Sequence, residues 1–200
     1  MSTSIFYAKP EILKQPQENW KIRYPRDLIP QQKTGAQENG KIYTGLLQGV
    51  GSQRSQIEVK VPLRMERQMY LASMVRTINN LPHSLKIIVP EKTKVNKDRF
   101  NRDNYLNYFE FNNCNSNYIV DLDALIIYMK ITPLEHQRQI KKIPIYMFNL
   151  YQNQHLTKDL INREQLEKCQ LAFWLCVRQN ENFIRISPDS LSRIITEKKK

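Results

Sequence analysis

The sequence predicts an α+β fold in which a small mixed sheet packs against helices and the C-terminal part is helical. Three patterns lead to this prediction. Residues 56–61 alternate apolar and polar side chains, as a strand with one buried face does. Residues 63–80 and 162–179 instead repeat apolar side chains every three or four positions, which is the period of an amphipathic helix.

Residues 1–55 are predicted to form an irregular arm rich in proline and glutamine. The arm contains all 5 glycines of the chain, and no apolar period runs through it. Trp20 and Tyr24 nevertheless make it too apolar for a purely solvated tail. We therefore expect the arm to dock either along a partner or along its own domain, and the sequence leaves these two alternatives open.

A strand-helix-strand unit is predicted to open the α+β domain, which spans residues 56–200. The strand at 56–61 is followed by the helix at 63–80. That helix ends before Pro82, because the residue that precedes a proline avoids the helical conformation. The apolar run at 85–89 then forms a second strand.

The middle of the chain is less regular. Residues 90–102 are polar and basic, which is typical of a solvated loop or a linker. Residues 104–120 place aromatic side chains before an asparagine-rich turn and an apolar run after it, which indicates a hairpin. The apolar residues within 124–131 fit either a short helix capped by Asp121 or Asp123 or a buried strand, and periodicity does not distinguish the two.

The C-terminal part, residues 157–200, is predicted to be helical. In the first helix, at 162–179, Cys169 and Cys176 share the apolar stripe with their neighbours. We interpret both cysteines as packing residues.

A second C-terminal helix is predicted at 188–197. A serine cap, a proline in the first turn and an acidic residue near the helix N-terminus favour its start at Ser187, Pro188 and Asp189. Two helices in succession are typical of a helix-turn-helix module, in which Ser190 and Arg193 would face the DNA. Helical hairpins more often only complete a core.

Charge gives the strongest functional indication. The chain has 31 basic and 19 acidic side chains, a net charge of +12 and an isoelectric point near 9.6. Such a surface attracts phosphate backbones and makes affinity salt-dependent, although basic charge also serves solubility alone. Much of the excess lies in a basic segment, residues 56–102. The predicted phosphate contacts are Arg64, Arg67, Arg76, Lys92, Lys94, Lys97 and Arg99, joined by Arg193 from the last helix.

Residue patterns for catalysis are weak. Glu58 with Lys60, and Asp121 with Asp123, come nearest to the acidic site of a metal-dependent nuclease. The 3 histidines share no ligand spacing, and the sequence lacks a phosphate-cradling glycine loop and a dinucleotide fingerprint. We therefore predict a protein that is not an enzyme and has no cofactor or metal.

Cysteine usage and hydropathy indicate the compartment. The 3 cysteines form no C-x-x-C pair, which favours a reducing environment. The longest apolar stretch is far shorter than the roughly 20 residues that a membrane span needs. We expect an intracellular, nuclear protein without a membrane partner.

In its size, its asparagine- and lysine-rich usage, its basic first half and its segment 187–193, the chain resembles a known family. This family is the small DNA-binding accessory subunit of the ciliate DNA adenine methyltransferase complex. The resemblance implies a non-catalytic subunit that joins protein partners in a hetero-oligomer and helps them engage duplex DNA. It assigns no residue. The alternative is a structural subunit of a ribosomal or mitochondrial assembly, in which the basic charge is incidental.

Overall fold

The fold of the chain is known from a computed structural model. It describes residues 6–22, 45–52, 55–63, 67–83, 85–91, 93–95, 106, 109–111, 117–150 and 158–198. These residues form mostly β-strands and two short helices, α1 (Pro133–Arg138) and α2 (Lys158–Arg163). The prediction of an α+β fold with a helical C-terminal part is therefore wrong.

Fifteen strands are formed by the described residues, in chain order from β1 to β15. They are β1 (Ile12–Lys14), β2 (Asn19–Trp20), β3 (Ile57–Lys60), β4 (Met69–Arg76), β5 (Lys86–Pro90), β6 (Lys94–Val95), β7 (Phe109–Glu110), β8 (Tyr118–Asp121), β9 (Ile126–Lys130), β10 (Ile140–Ile143), β11 (Ile145–Asn149), β12 (Lys168–Gln179), β13 (Asn182–Arg185), β14 (Ser190–Leu191) and β15 (Ile195–Glu197).

Two layers of strands make a β-sandwich. The larger layer is an eight-stranded sheet with the path β2-β15-β12-β4-β9-β8, in which β13 and β14 also pair with β12. The second layer contains a three-stranded sheet, β1-β3-β10, and the pair β5-β11. Apolar side chains from both layers, such as Leu171 of β12 and Val59 of β3, meet in the main core. Burial of this apolar surface holds the layers together.

Strand β4 replaces the helix predicted at 63–80. All of its residues except the last are buried, and their side chains alternate between two clusters. Leu71 faces the main core, whereas Tyr70 and Ala72 face the opposite side of the sheet. Because both faces are covered, nearly every position of β4 is apolar. In such a run, apolar residues also occur three and four positions apart, so the strand has the apparent period of a helix.

Strand β12 replaces most of the helix predicted at 162–179, for the same reason. In a strand, residues an odd number apart point to opposite faces. Cys169 therefore lies in the main core, while Cys176 lies in the cluster on the other face of the sheet. Both thiols are buried and free, and burial raises the pKa of Cys169 to about 12.

The face of the eight-stranded sheet that points away from the main core carries aromatic rings. Phe183 stacks on Tyr128 with 3.7 Å between ring centroids, and meets Tyr70 edge-on at 5.0 Å. Trp174 is buried beside them, with the guanidinium of Arg185 5.5 Å from its ring. These side chains cover the centre of this face of the sheet.

Other local predictions have mixed outcomes. Strands β3 and β5 lie where the sequence predicts strands, and the open choice at 124–131 is resolved as strand β9. The hairpin predicted within 104–120 is wrong for the described residues, because β7 pairs with β6 and β8 pairs with β9. Long-range pairing thus decides what the local pattern leaves open.

Candidate nucleic-acid interface

The N-terminal strap, residues 6–22, runs beside the C-terminal segment and in the same direction. Five backbone or side-chain hydrogen bonds mark its course, each joining residues about 178 positions apart. They link Tyr7 to Ile186, Pro10 to Ser190, Gln15 to Arg193, Glu18 to Thr196 and Trp20 to Lys198. The described part of the predicted arm therefore docks along its own domain.

The last part of this contact is a parallel strand pair. Asn19 of β2 is opposite Thr196 of β15, and Trp20 is opposite Glu197. The amide of Lys198 then donates to the carbonyl oxygen of Trp20 at 3.0 Å. The next residues in register are Lys21 and Lys198. Because neighbouring strands lie about 4.8 Å apart, the two lysine backbones are adjacent.

Alternation along both strands points the two lysines outward. On the strap, Ile22 is buried in the main core and Trp20 packs against it, so Lys21 between them faces solvent. On the other strand, Ile195 is buried and Lys198 is exposed. We call this outward pair, Lys21 and Lys198, the basic end of the sandwich.

In the sequence, further basic residues follow both lysines of the basic end. Strands β2 and β15 are parallel, so both run toward the basic end in the direction of increasing residue number. After Lys21 come Arg23 and Arg26, and after Lys198 come Lys199 and Lys200. These four residues lie outside the described ranges.

Among the residues predicted to contact phosphate, the structure describes Arg67, Arg76, Lys94 and Arg193. Arg67 precedes β4 and Arg76 ends it, so their backbones are roughly 30 Å apart at strand spacing. Lys94 lies in β6. Arg64, Lys92, Lys97 and Arg99 lie outside the described residues.

Arg76 is engaged within the protein. Its guanidinium donates to the side-chain oxygen of Asn80 at 2.6 Å and lies 2.8 Å from Asp189. Arg185 contacts the other oxygen of the same carboxylate at 2.8 Å. Burial alone raises the pKa of Asp189, but the hydrogen bonds and the charges of the two arginines outweigh it, so the pKa lies below its ordinary value. Arg76 is thus a structural ion-pair residue.

Arg193 lies on the C-terminal segment, five residues before Lys198. Its guanidinium is 3.7 Å from the carboxylate of Glu18 on the strap, and both side chains are more than half exposed. An exposed pair of this kind contributes little to stability, so it yields readily to a competing anion. Among the predicted residues that the structure describes, Arg193 is the one that lies on the segment leading to the basic end.

The predicted helix-turn-helix is wrong. Residues 188–197 contain strands β14 and β15, and no recognition helix presents Ser190 and Arg193. The hydroxyl of Ser187, predicted to cap a helix, instead accepts a hydrogen bond from the buried amide of Leu175 at 2.8 Å. The signal that sequence reasoning missed is the pairing of two basic segments far apart in the chain.

The candidate nuclease residues have structural contacts. Glu58 pairs with Lys14 at 3.2 Å, and Lys60 with Glu11 at 3.4 Å. Asp121 accepts two backbone hydrogen bonds in the turn before β9. Among the described residues there is no group of three or more histidine, cysteine, aspartate or glutamate side chains that is arranged to hold a metal ion.

Comparisons with known proteins identify a solved structure with a similar fold. No family model matches the chain, and no curated protein does either. Among solved structures, a Dorsal homologue, Gambif1, bound to DNA, is similar to it with a TM-score of 0.52 and 14% sequence identity. The likeness covers 96% of this chain and 99% of that one. At this identity it shows the fold, an immunoglobulin-like β-sandwich.

In the part of the chain that the structure describes, neither helix is long and apolar enough to cross a membrane.

Proposed function

We propose that this chain is a non-catalytic protein that binds nucleic acid, with duplex DNA favoured, through the basic end of its sandwich. The observation that carries the proposal is the register of β2 and β15, which sets Lys21 beside Lys198 on an outward face. Two adjacent cations at the end of a hydrogen-bonded strand pair meet a phosphate backbone with little further ordering of the chain. We also propose that the protein acts in the nucleus.

Two further observations support it. The net charge of +12 favours phosphate partners. The Dorsal homologue with a similar fold is a protein bound to DNA. Membership of a larger complex, including a methyltransferase complex, remains a prediction from the sequence.

The test is DNA affinity measured by fluorescence anisotropy over a salt series. We expect wild-type affinity to fall steeply with salt. The double variant Lys21→Gln/Lys198→Gln removes two phosphate contacts, so its affinity should be lower at every salt concentration. The slope of log affinity against log salt should become shallower by about 2, because each contact contributes roughly 0.9.

The matched control is Arg138→Gln/Lys142→Gln. Both residues are exposed, and neither makes an ion pair with another described residue. The control also removes two positive charges, so a loss of equal size in both variants would mean that net charge, not the basic end, determines binding. A wild-type affinity with no salt dependence would contradict the proposal itself.

A further inference from the structure

A buried polar cluster lies directly beneath the basic end. Lys86 of β5, Asn149 of β11 and Glu197 of β15 come from three strands that are far apart in sequence. The ammonium of Lys86 donates to the side-chain oxygen of Asn149 and, at 3.4 Å, to Glu197. The amide of Asn149 donates to the other carboxylate oxygen of Glu197 at 2.8 Å. Glu197 is thus held by two side chains at once.

The two charged side chains of this cluster are largely removed from solvent. The side chain of Lys86 is fully buried, and Glu197 is only 15% exposed. Burial lowers the pKa of Lys86, while nearby groups, Glu197 among them, act in the opposite direction. A buried charge needs its counter-charge, so the inner side of β15 is tied to a defined position in the second layer of the sandwich.

The cluster and the basic end meet at two consecutive residues, because Glu197 is the last residue of β15 and Lys198 follows it directly. Glu197 points inward to Lys86, and Lys198 points outward. The amide of Glu197 donates to the carbonyl oxygen of Glu167 at 2.9 Å, and that of Lys198 donates to Trp20 at 3.0 Å. The side chain of Glu197 is therefore a tertiary anchor directly before the outward lysine.

We infer that Glu197 is a positioning residue for nucleic-acid binding: through Lys86 and Asn149 it fixes the end of β15 against β2, so that Lys198 stands ready beside Lys21. Glu197 itself contacts no nucleic acid. The inference rests on the proposed function and adds to it an internal device that preorganises the binding face. If the end of β15 frays, the observed DNA affinity equals the intrinsic affinity multiplied by the fraction of molecules in which this end is paired.

The experiment uses the charge-neutral double variant Lys86→Met/Glu197→Gln, which removes both buried charges together and retains side-chain volume. The matched control is Lys141→Met/Glu135→Gln. It removes a second, partly buried pair, whose atoms are 3.0 Å apart and which joins α1 to β10 instead of the basic end. Thermal unfolding confirms that each variant is folded before binding is measured.

We expect the Lys86/Glu197 variant to bind DNA about tenfold more weakly, which corresponds to an end of β15 that is paired in roughly one molecule in ten. Its salt slope should equal that of the wild type, because the phosphate contacts remain the same in number. The amide of Lys198 should exchange with solvent faster in the free protein. The control should change neither property. This pattern differs from that of Lys21→Gln/Lys198→Gln, which alters the slope.

Wild-type affinity in the Lys86/Glu197 variant, or an equal loss in the control, would overturn the inference. If the wild-type chain fails to bind DNA, the proposed function and the role of Glu197 in binding are both lost. Amide exchange then still decides whether Glu197 fixes the end of β15: unchanged exchange at Lys198 overturns this, and faster exchange in this variant alone upholds it.

Discussion

At the scale of single residues, the structure separates charges that serve the fold from charges that face outward. Arg76 and Arg185 both contact the carboxylate of Asp189, which ties the end of β4 to the segment between β13 and β14. In sequence, Arg76 is indistinguishable from a phosphate-binding arginine. Its role follows from a partner 113 positions away, which no local pattern reveals.

The lowered pKa of Asp189 gives a prediction with a definite pH dependence. A carboxyl group whose pKa is lower in the folded state contributes stability above its unfolded pKa of about 3.8 and loses it as the pH falls through the folded value. Asp189→Asn should therefore lower the free energy of unfolding at pH 7 by roughly 1–3 kcal/mol. The difference from wild type should shrink below about pH 4. Urea unfolding at a series of pH values measures it.

Asp123→Asn is the control for this prediction, because Asp123 is exposed in a turn. It should leave stability nearly unchanged across the same pH range. A constant deficit for Asp189→Asn from pH 7 down to pH 3 would show that lost packing, not the ionised carboxylate, accounts for its effect.

At the scale of elements, β12 is flanked on one side by three short strands with gaps between them. In the gaps, two buried amides of β12 receive side-chain acceptors: Leu175 donates to Ser187 at 2.8 Å, and Leu171 donates to Ser192 at 2.9 Å. The backbone also pairs with β12 at these two places, since the amide of Ser192 donates to the carbonyl oxygen of Leu171 and the amide of Ile186 donates to that of Leu175. The two hydroxyls thus supply acceptors where the short strands leave gaps beside β12.

Ser187→Ala and Ser192→Ala should each destabilise the protein by about 1–3 kcal/mol, because each leaves a buried amide without its acceptor. The measurement is equilibrium urea unfolding. Ser73→Ala is a suitable control, since the Ser73 hydroxyl is equally buried and has no hydrogen-bond partner among the described residues. It should change stability by less than about 1 kcal/mol. A comparable loss in all three variants would assign the effect to volume instead.

Sequence patterns predict the short strands better than the long ones. The alternation at 56–61 identifies β3, because one face of that strand is more exposed than the other. Strands β4 and β12 are covered on both faces, so their nearly continuous apolar runs fit a helix equally well by periodicity. The serine and proline at 187 and 188 likewise fit a helix start, and only the ladder of β12 shows their actual role.

At the scale of the whole molecule, the basic end depends on pairing between residues near the two ends of the chain. Charge counting along the sequence finds an excess in residues 56–102, but it has no means of finding that Lys21 lies beside Lys198. That placement follows from the strap, which completes both layers: β1 extends the sheet of β3, and β2 extends the sheet of β15. The candidate site is therefore a property of the complete sandwich.

If the strap is an integral part of the sandwich, it should unfold together with the core. The chain has 2 tryptophans. Trp20 lies on the strap against the main core, and Trp174 lies on the far face of β12. In Trp174→Phe only Trp20 reports, and in Trp20→Phe only Trp174 does.

In each of these variants, we expect the urea midpoint from tryptophan fluorescence to coincide with the midpoint from far-ultraviolet circular dichroism, as one cooperative transition requires. The circular dichroism of each variant serves as its own reference, so the stability cost of the substitution cancels. A Trp20 signal that changes at clearly lower urea would mean that the strap detaches before the sandwich unfolds. In that case Lys21 would leave Lys198 under mild conditions, and the basic end would be a conditional site rather than a permanent feature of the fold.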